Sequence, residues 1–251
     1  INILSALKTT IAGLINAIGG TVAGNGGAIL TGSQGSLEVL AGTSVNAGAS
    51  NGKNGTWTLL NPTGLNVDTA TANAISNALT TTNVTLTTNQ TGCAYFGGCQ
   101  NTIFGNVAFL ADINKSGLNS TGLTVNAGGA FSSQANITSA DNGPLAFLVN
   151  ANSTLISANS TVTANLVNIA VAQGIDIFGN VILIGQSPLI NLAGTTINIL
   201  GSIGTRRQSL NGSGYNSAAN ININATNNIT IGSTGVVAAD GSSGGIINMQ
   251  A

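Results

Sequence analysis

An all-β solenoid with coils of about 22 residues is the fold that this 251-residue sequence predicts, and three observations predict it. Apolar–x–apolar triplets recur along the chain, the mark of short strands with alternating faces. They recur at nearly constant spacing. Between them lie Gly, Asn, Ser and Thr, residues suited to tight turns.

The spacing carries most weight. Leu123/Val125, Leu145/Phe147 and Val167/Ile169 follow one another at steps of 22, and Leu189 continues the first column. Leu155, Ile177 and Ile199 form a second column with the same step, extended by Ile223 after 24 residues. Val84/Leu86 to Val107/Phe109 is a step of 23. A coil this short buries its apolar face only against the next coil, so the sequence predicts a stack of about eleven coils, a rod on the order of 50 Å long. A globular sandwich needs no apolar columns at one fixed period.

The polar residues fit the same stack. Asn and Gly tolerate the positive φ of sharp corners, and stacked carboxamides form ladders along the axis. Asn198, Asn220, Asn222 and Asn224 are candidates. Ile1-Asn2-Ile3-Leu4 recurs identically as Ile197-Asn198-Ile199-Leu200, with Thr9 matching Thr205, so the two ends read as neighbouring pieces of one array. The start at Ile1 without a leader, and the stop at Ala251 in mid-repeat, read as a fragment of a longer chain, 1–251 being one solenoid segment.

Two segments depart from the strand period. Ile3, Leu4, Leu7, Ile11, Leu14, Ile15 and Ile18 fall at helix-compatible spacing. Asp68 or Thr69 is placed to cap a short helix over 69–79, with Ala70, Ala74, Ile75, Ala78 and Leu79 on one face. Both read as amphipathic covers on the solenoid flank. The polar stretch 204–220 reads as an extruded loop.

Composition excludes several classes. Charged residues are 4% of the chain against roughly 25% ordinarily, while hydrophobic residues are 43%. Disorder needs low hydrophobicity and high net charge, and the net charge here is −1. No apolar run approaches the 18 or so residues of a membrane span, and five Lys plus Arg give no nucleic-acid footprint. Without His, and with six dispersed acids (Glu38, Asp68, Asp112, Asp141, Asp176 and Asp240), neither a metal site, a cofactor nor acid–base catalysis is expected. The chain reads as a non-enzyme.

Cys93 and Cys99, with five residues between them of which two are Gly, are expected to close a local disulfide of an oxidising compartment. Arg206-Arg207 is the one paired charge, read either as a solvated loop tip or as a contact for an anionic glycan or phospholipid head. Eleven Asn-x-Ser/Thr sequons occur, at Asn54, Asn83, Asn89, Asn114, Asn119, Asn136, Asn152, Asn159, Asn211, Asn224 and Asn228. They are candidate glycan acceptors, although a chain with 35 Asn and 52 Ser plus Thr carries several by composition alone.

Three stretches together resemble a known family: Gly55-Thr56-Trp57-Thr58-Leu59-Leu60-Asn61-Pro62, Ala74-Ile75-Ser76-Asn77-Ala78-Leu79 and Asn83-Val84-Thr85-Leu86-Thr87-Thr88. They are similar to the Gly-Thr-Trp, Asp-Pro, Ile-Ser-x-x-Leu and Val-Thr-Leu elements of two-partner-secretion exoproteins, the filamentous haemagglutinins and high-molecular-weight adhesins of Gram-negative bacteria. Asn61 stands where that family has Asp, and the close likeness covers roughly residues 20–90. The resemblance implies a right-handed parallel β-helix, a passenger shaft exported through an outer-membrane transporter, and display or release at the cell surface, and it permits hexose modification of sequons. Host-cell or matrix glycans are the partners expected of an adhesin. The alternative reading is a filament subunit that self-associates through its solenoid ends, whose unpaired strand edges show no charged or Pro-bearing cap.

Overall fold

The computed structural model describes residues 1–89, 94–96, 104–139, 143–185, 187–205, 219–240 and 244–251. These build a parallel β-helix whose turns place strands on up to three faces. The first turn carries β1 (Asn2–Ser5), β2 (Lys8–Ile11) and β3 (Leu14–Asn16). The second carries β4 (Ala28–Ser33), β5 (Ser36–Val39) and β6 (Ser44–Asn46). In the third, β7 (Thr56–Leu60) and β8 (Leu65–Val67) are followed by a helix, α1 (Thr69–Ala78). Next come β9 (Asn83–Thr87), β10 (Val107–Phe109) and β11 (Ile113–Lys115), then β12 (Thr121–Asn126), β13 (Ala130–Ser133) and β14 (Ile137–Ser139). The sixth turn holds β15 (Leu145–Ala151), β16 (Ser153–Ile156) and β17 (Thr161–Ala164), and the seventh β18 (Leu166–Val171), β19 (Gly174–Ile177) and β20 (Asn180–Leu183). Two long strands, β21 (Leu189–Ile199) and β23 (Asn220–Ile231), each bend across two faces and precede β22 (Ser202–Thr205) and β24 (Val236–Ala238). The tenth turn opens with β25 (Ile246–Gln250).

Register fixes the core. On the first face Ile29, Trp57, Val84, Leu123, Phe147, Val167, Ile190 and Ile221 lie one above another, each essentially inaccessible. Leu65, Val107, Phe131, Thr154, Ile175 and Ile197 form the second-face column. Ile113, Ile137, Val162, Val181 and Ile203 form the third. Phe131 meets Phe109 and Phe147 edge-on, with ring centroids 5.1 and 5.9 Å away, a favoured aromatic geometry. Ten turns at about 4.8 Å each give a stack of roughly 45 Å.

The coil length holds only in the middle. Second-face pairs such as Thr154↔Ile175 and Ile175↔Ile197 step by 21 and 22, but first-face pairs range from 20 (Ala146↔Leu166) to 39 (Val84↔Leu123). Several expected alignments therefore move. Leu123 stacks on Phe147, with Leu145 on Thr121, a slip of two that leaves the same side chains inside. Ile156, not Leu155, is the inward residue beneath Ile177. Ile199 aligns with Ile231, and Ile223 with Leu192. Val84/Leu86 and Val107/Phe109 occupy different faces. The repeated tetrapeptide does likewise: Asn2–Leu4 lies on the first face and Ile197–Ile199 on the second. Apolar–polar–apolar order encodes a strand, not the face that it joins.

The helix expected near the N-terminus is not formed. Residues 2–16 are three strands, and Lys8–Ile11 alternates in burial residue by residue. Strands of three or four residues, joined by corners of about two, put apolar residues three and four apart and so imitate a helical period. The second helix is present. Asp68 Oδ1 accepts from the Thr71 N–H at 2.9 Å, and Ala74, Ile75, Ala78 and Leu79 are buried while Ala70 is half-buried. Helix α1 takes a third-face position between β6 and β11. A helix about 10 Å across matches two strand spacings of about 4.8 Å, so it fits where one strand is replaced. Ser76 Oγ accepts from the Asn114 N–H on one side, and Thr82 Oγ1 from the Ala47 N–H on the other.

Candidate binding surfaces

The outward faces are amide and hydroxyl surfaces. Carboxamides stack at four points: Asn150 on Asn126, Asn222 on Asn191 and Asn248 on Asn222, each 2.9 Å, and Asn198 on the Asp176 carboxylate at 2.7 Å. Asn198 and Asn222 are thus ladder members. Asn220 and Asn224 instead face Leu189/Ile246 and Ala193/Gln250.

The sequons divide by how far their amides are engaged. Asn83 holds three chain segments, accepting from the Gly122 N–H and donating to Asn54 O and Gly55 O. Asn136 accepts from the Thr161 N–H and donates to Asp112. Asn54, Asn119 and Asn152 donate to the Ser120, Thr80 and Gly128 carbonyls; Asn114 and Asn89 accept from Thr138 and Thr87. Asn159, Asn224 and Asn228 are exposed and make no side-chain hydrogen bond among the described residues. Asn211, Arg206, Arg207, Cys93 and Cys99 lie outside the described residues, as does Asp141.

Glu38 and Asp68 are widely separated in sequence, and the coil brings them to one cleft. Between β5 and β8 the second-face ladder is interrupted, because β5 pairs only with β2 and β8 only with β10. The resulting cleft of about 460 Å³ is lined by Lys8, Glu38, Asn66, Asp68 and Thr71. Lys8 Nζ lies 2.7 Å from Glu38 Oε2. This hydrogen bond and its charge hold the Glu38 carboxyl below the usual carboxylate range, opposed by desolvation and, more weakly, by Asp68. A common residue spacing could not reveal this pair, since the second and third turns are longer than 22 residues. Across the stack, Ala170, Val171, Ala172, Ala193 and Gly194 line a shallow apolar groove at a corner.

Among the described residues no cluster of three or more Asp, Glu, Cys or His lies close enough to hold a metal ion, and no helix is long and apolar enough to cross a membrane. Among the described residues one cation is interior: Lys115 is 2% exposed, and its Nζ donates to Gly117 O at 3.1 Å. Burial pushes its ammonium below the ordinary lysine range.

No family model, curated protein or solved structure matches this chain.

Proposed function

We propose that this chain is part of a rigid extracellular shaft of a secreted bacterial adhesin, exported by an outer-membrane transporter and mediating attachment at a Gram-negative cell surface. The observation that carries this reading is the continuous first-face ladder, β1 to β25, clad outside in carboxamides and hydroxyls. Such a stack supplies reach and stiffness, and its neutral polar surface suits hydroxyl-rich ligands such as host or matrix glycans. The likeness of residues 20–90 to two-partner-secretion exoproteins supports the same reading. The test is adhesion of microspheres coated with the purified chain to epithelial cells and to arrayed glycans. Saturable attachment supports it. Coated and bare spheres behaving alike, or turnover of a uronate polymer by the chain, overturns it.

A second reading, a filament subunit, is favoured by one observation. Large exposed apolar residues gather at both ends of the stack, Ile1, Leu7 and Leu14 at one and Val236, Ile246 and Met249 at the other. Ile1-Asn2-Ile3 and Ile247-Asn248-Met249 share the apolar–Asn–apolar order of the Asn191–Asn222–Asn248 column. The next coil of a longer chain, or another copy, would continue that column from either edge. Concentration-dependent rods in sedimentation and electron micrographs support the filament; a concentration-independent monomer excludes it.

A further inference from the structure

We infer that the cleft between β5 and β8 is a docking site for an extended peptide segment of a separate protein, taken up as an added strand. Nearly all Cα pairs between these two strands are more than 8 Å apart, whereas hydrogen-bonded neighbours stand about 4.8 Å apart. The two strands are therefore not ladder neighbours, and each presents an open edge to the cleft.

The backbone on both walls suits such a guest. Along a parallel strand, successive residues direct their N–H and C=O groups to opposite neighbours. The Ser36 and Leu40 N–H groups bond to Leu7 O and Ile11 O, so Leu37 and Val39 direct theirs into the cleft. The Leu65 N–H bonds to Asn106 O and the Leu110 N–H to Val67 O, so Asn66 directs its own groups in from the opposite wall. No backbone hydrogen bond joins the two walls among the described residues. Leu37 and Val39 on one wall and Asn66 on the other thus offer main-chain donors and acceptors of the kind that strand addition uses for affinity.

The ends of the cleft set length and charge. Asn61 Nδ2 and Thr63 Oγ1 donate to Gly35 O at 3.3 and 3.2 Å and close one end. The first turn of α1, with Asp68 and Thr71, closes the other. The four residues of β5 and three of β8 fit a guest of similar length running parallel to both. Lys8 and Glu38 neutralise each other across 2.7 Å. That leaves the Asp68 carboxylate, whose Oδ1 is taken by the Thr71 N–H, to select a lysine or arginine on the guest.

The test uses the whole chain and two probes: a blocked hexapeptide copying residues 7–12, which contains the strand that already pairs with β5 and carries a lysine, and a randomised hexapeptide mixture with one lysine. Amide exchange at Leu37, Val39 and Asn66 is followed by NMR. At a peptide concentration ten times Kd, exchange at these three amides is expected to slow about tenfold. The same peptide N-methylated at alternate residues is expected to leave them unchanged. Asp68→Asn, which retains a helix-capping side chain, is expected to weaken lysine-peptide binding several-fold with α1 intact by circular dichroism. The inference is overturned if neither probe slows these amides, if the N-methylated peptide slows them equally, or if maltohexaose does so instead. Each outcome leaves the shaft reading standing, because that reading rests on the ladder and not on the cleft.

Discussion

The indole nitrogen of Trp57 donates to the hydroxyl of Thr31 at 2.9 Å, in the coil below, with both residues fully enclosed. A buried indole N–H without an acceptor costs about 1–3 kcal/mol. Thr31→Val is therefore expected to destabilise the chain by that amount in denaturant unfolding, and Thr31→Ser to recover most of the loss. Trp57→Phe should lose less in the Thr31→Val background than alone. Additive losses in the double-mutant cycle would show that the bond contributes nothing beyond packing.

Thr154 interrupts the second-face column between Phe131 and Ile175, and its hydroxyl has no partner among the described residues. Thr154→Val keeps the shape and removes the stranded group. It is expected to stabilise by about 1 kcal/mol, seen as a higher denaturation midpoint with an unchanged slope. A lower midpoint would mean that the hydroxyl is satisfied in solution.

Lys115 gives the stack an alkaline signature. Its folded-state pKa lies below the unfolded one through burial, so between the two the unfolded chain binds more protons and stability rises with pH. Above the ordinary lysine pKa the penalty of burying the ammonium is gone. Lys115→Met is expected to flatten that rise and to raise the melting temperature at neutral pH. A melting profile of the variant that runs parallel to the parent through the alkaline range would contradict this.

Asp68 caps α1 by accepting from the Thr71 N–H. Asp68→Ala is expected to cost about 1 kcal/mol, and Asp68→Asn little. Slower exchange at the Thr71 amide in Asp68→Asn than in Asp68→Ala would confirm that capping is the cause.

For Glu38 the sign is the reverse of the lysine case. Its depressed folded pKa contributes stability above the unfolded value, lost as pH falls through the folded one. Lys8→Met should raise the Glu38 midpoint in carboxyl NMR toward the usual carboxylate range. Because the pair is exposed, the melting temperature at neutral pH should scarcely move.

The columns of Ile, Leu, Val and Phe were legible in the sequence because burial demands them every second residue, whatever the coil length. Helix α1 was legible because Asp68 and the apolar face through Leu79 are local signals. Register was not. Leu123 is equally well buried opposite Leu145 or Phe147, and only the corner lengths decide between them. The β5–β8 cleft was hidden for a related reason: whether Leu37 and Asn66 find partners depends on the path of the chain through Pro62, Thr63 and Gly64 between two ordinary strands. The first three strands were misread because Leu7, Ile11 and Leu14 recur at helical intervals across separate faces.

The direction of the ladders has a mechanical consequence. Hydrogen bonds between turns point along the stack, so tension applied at its ends loads one turn at a time rather than many in parallel. A turn such as Leu123 to Phe147, 24 residues, occupies about 4.8 Å of the folded rod and, once peeled away, spans on the order of 80 Å. Under load the rod would lengthen turn by turn at modest force, yielding as an extensible tether while the remaining coils stay wound.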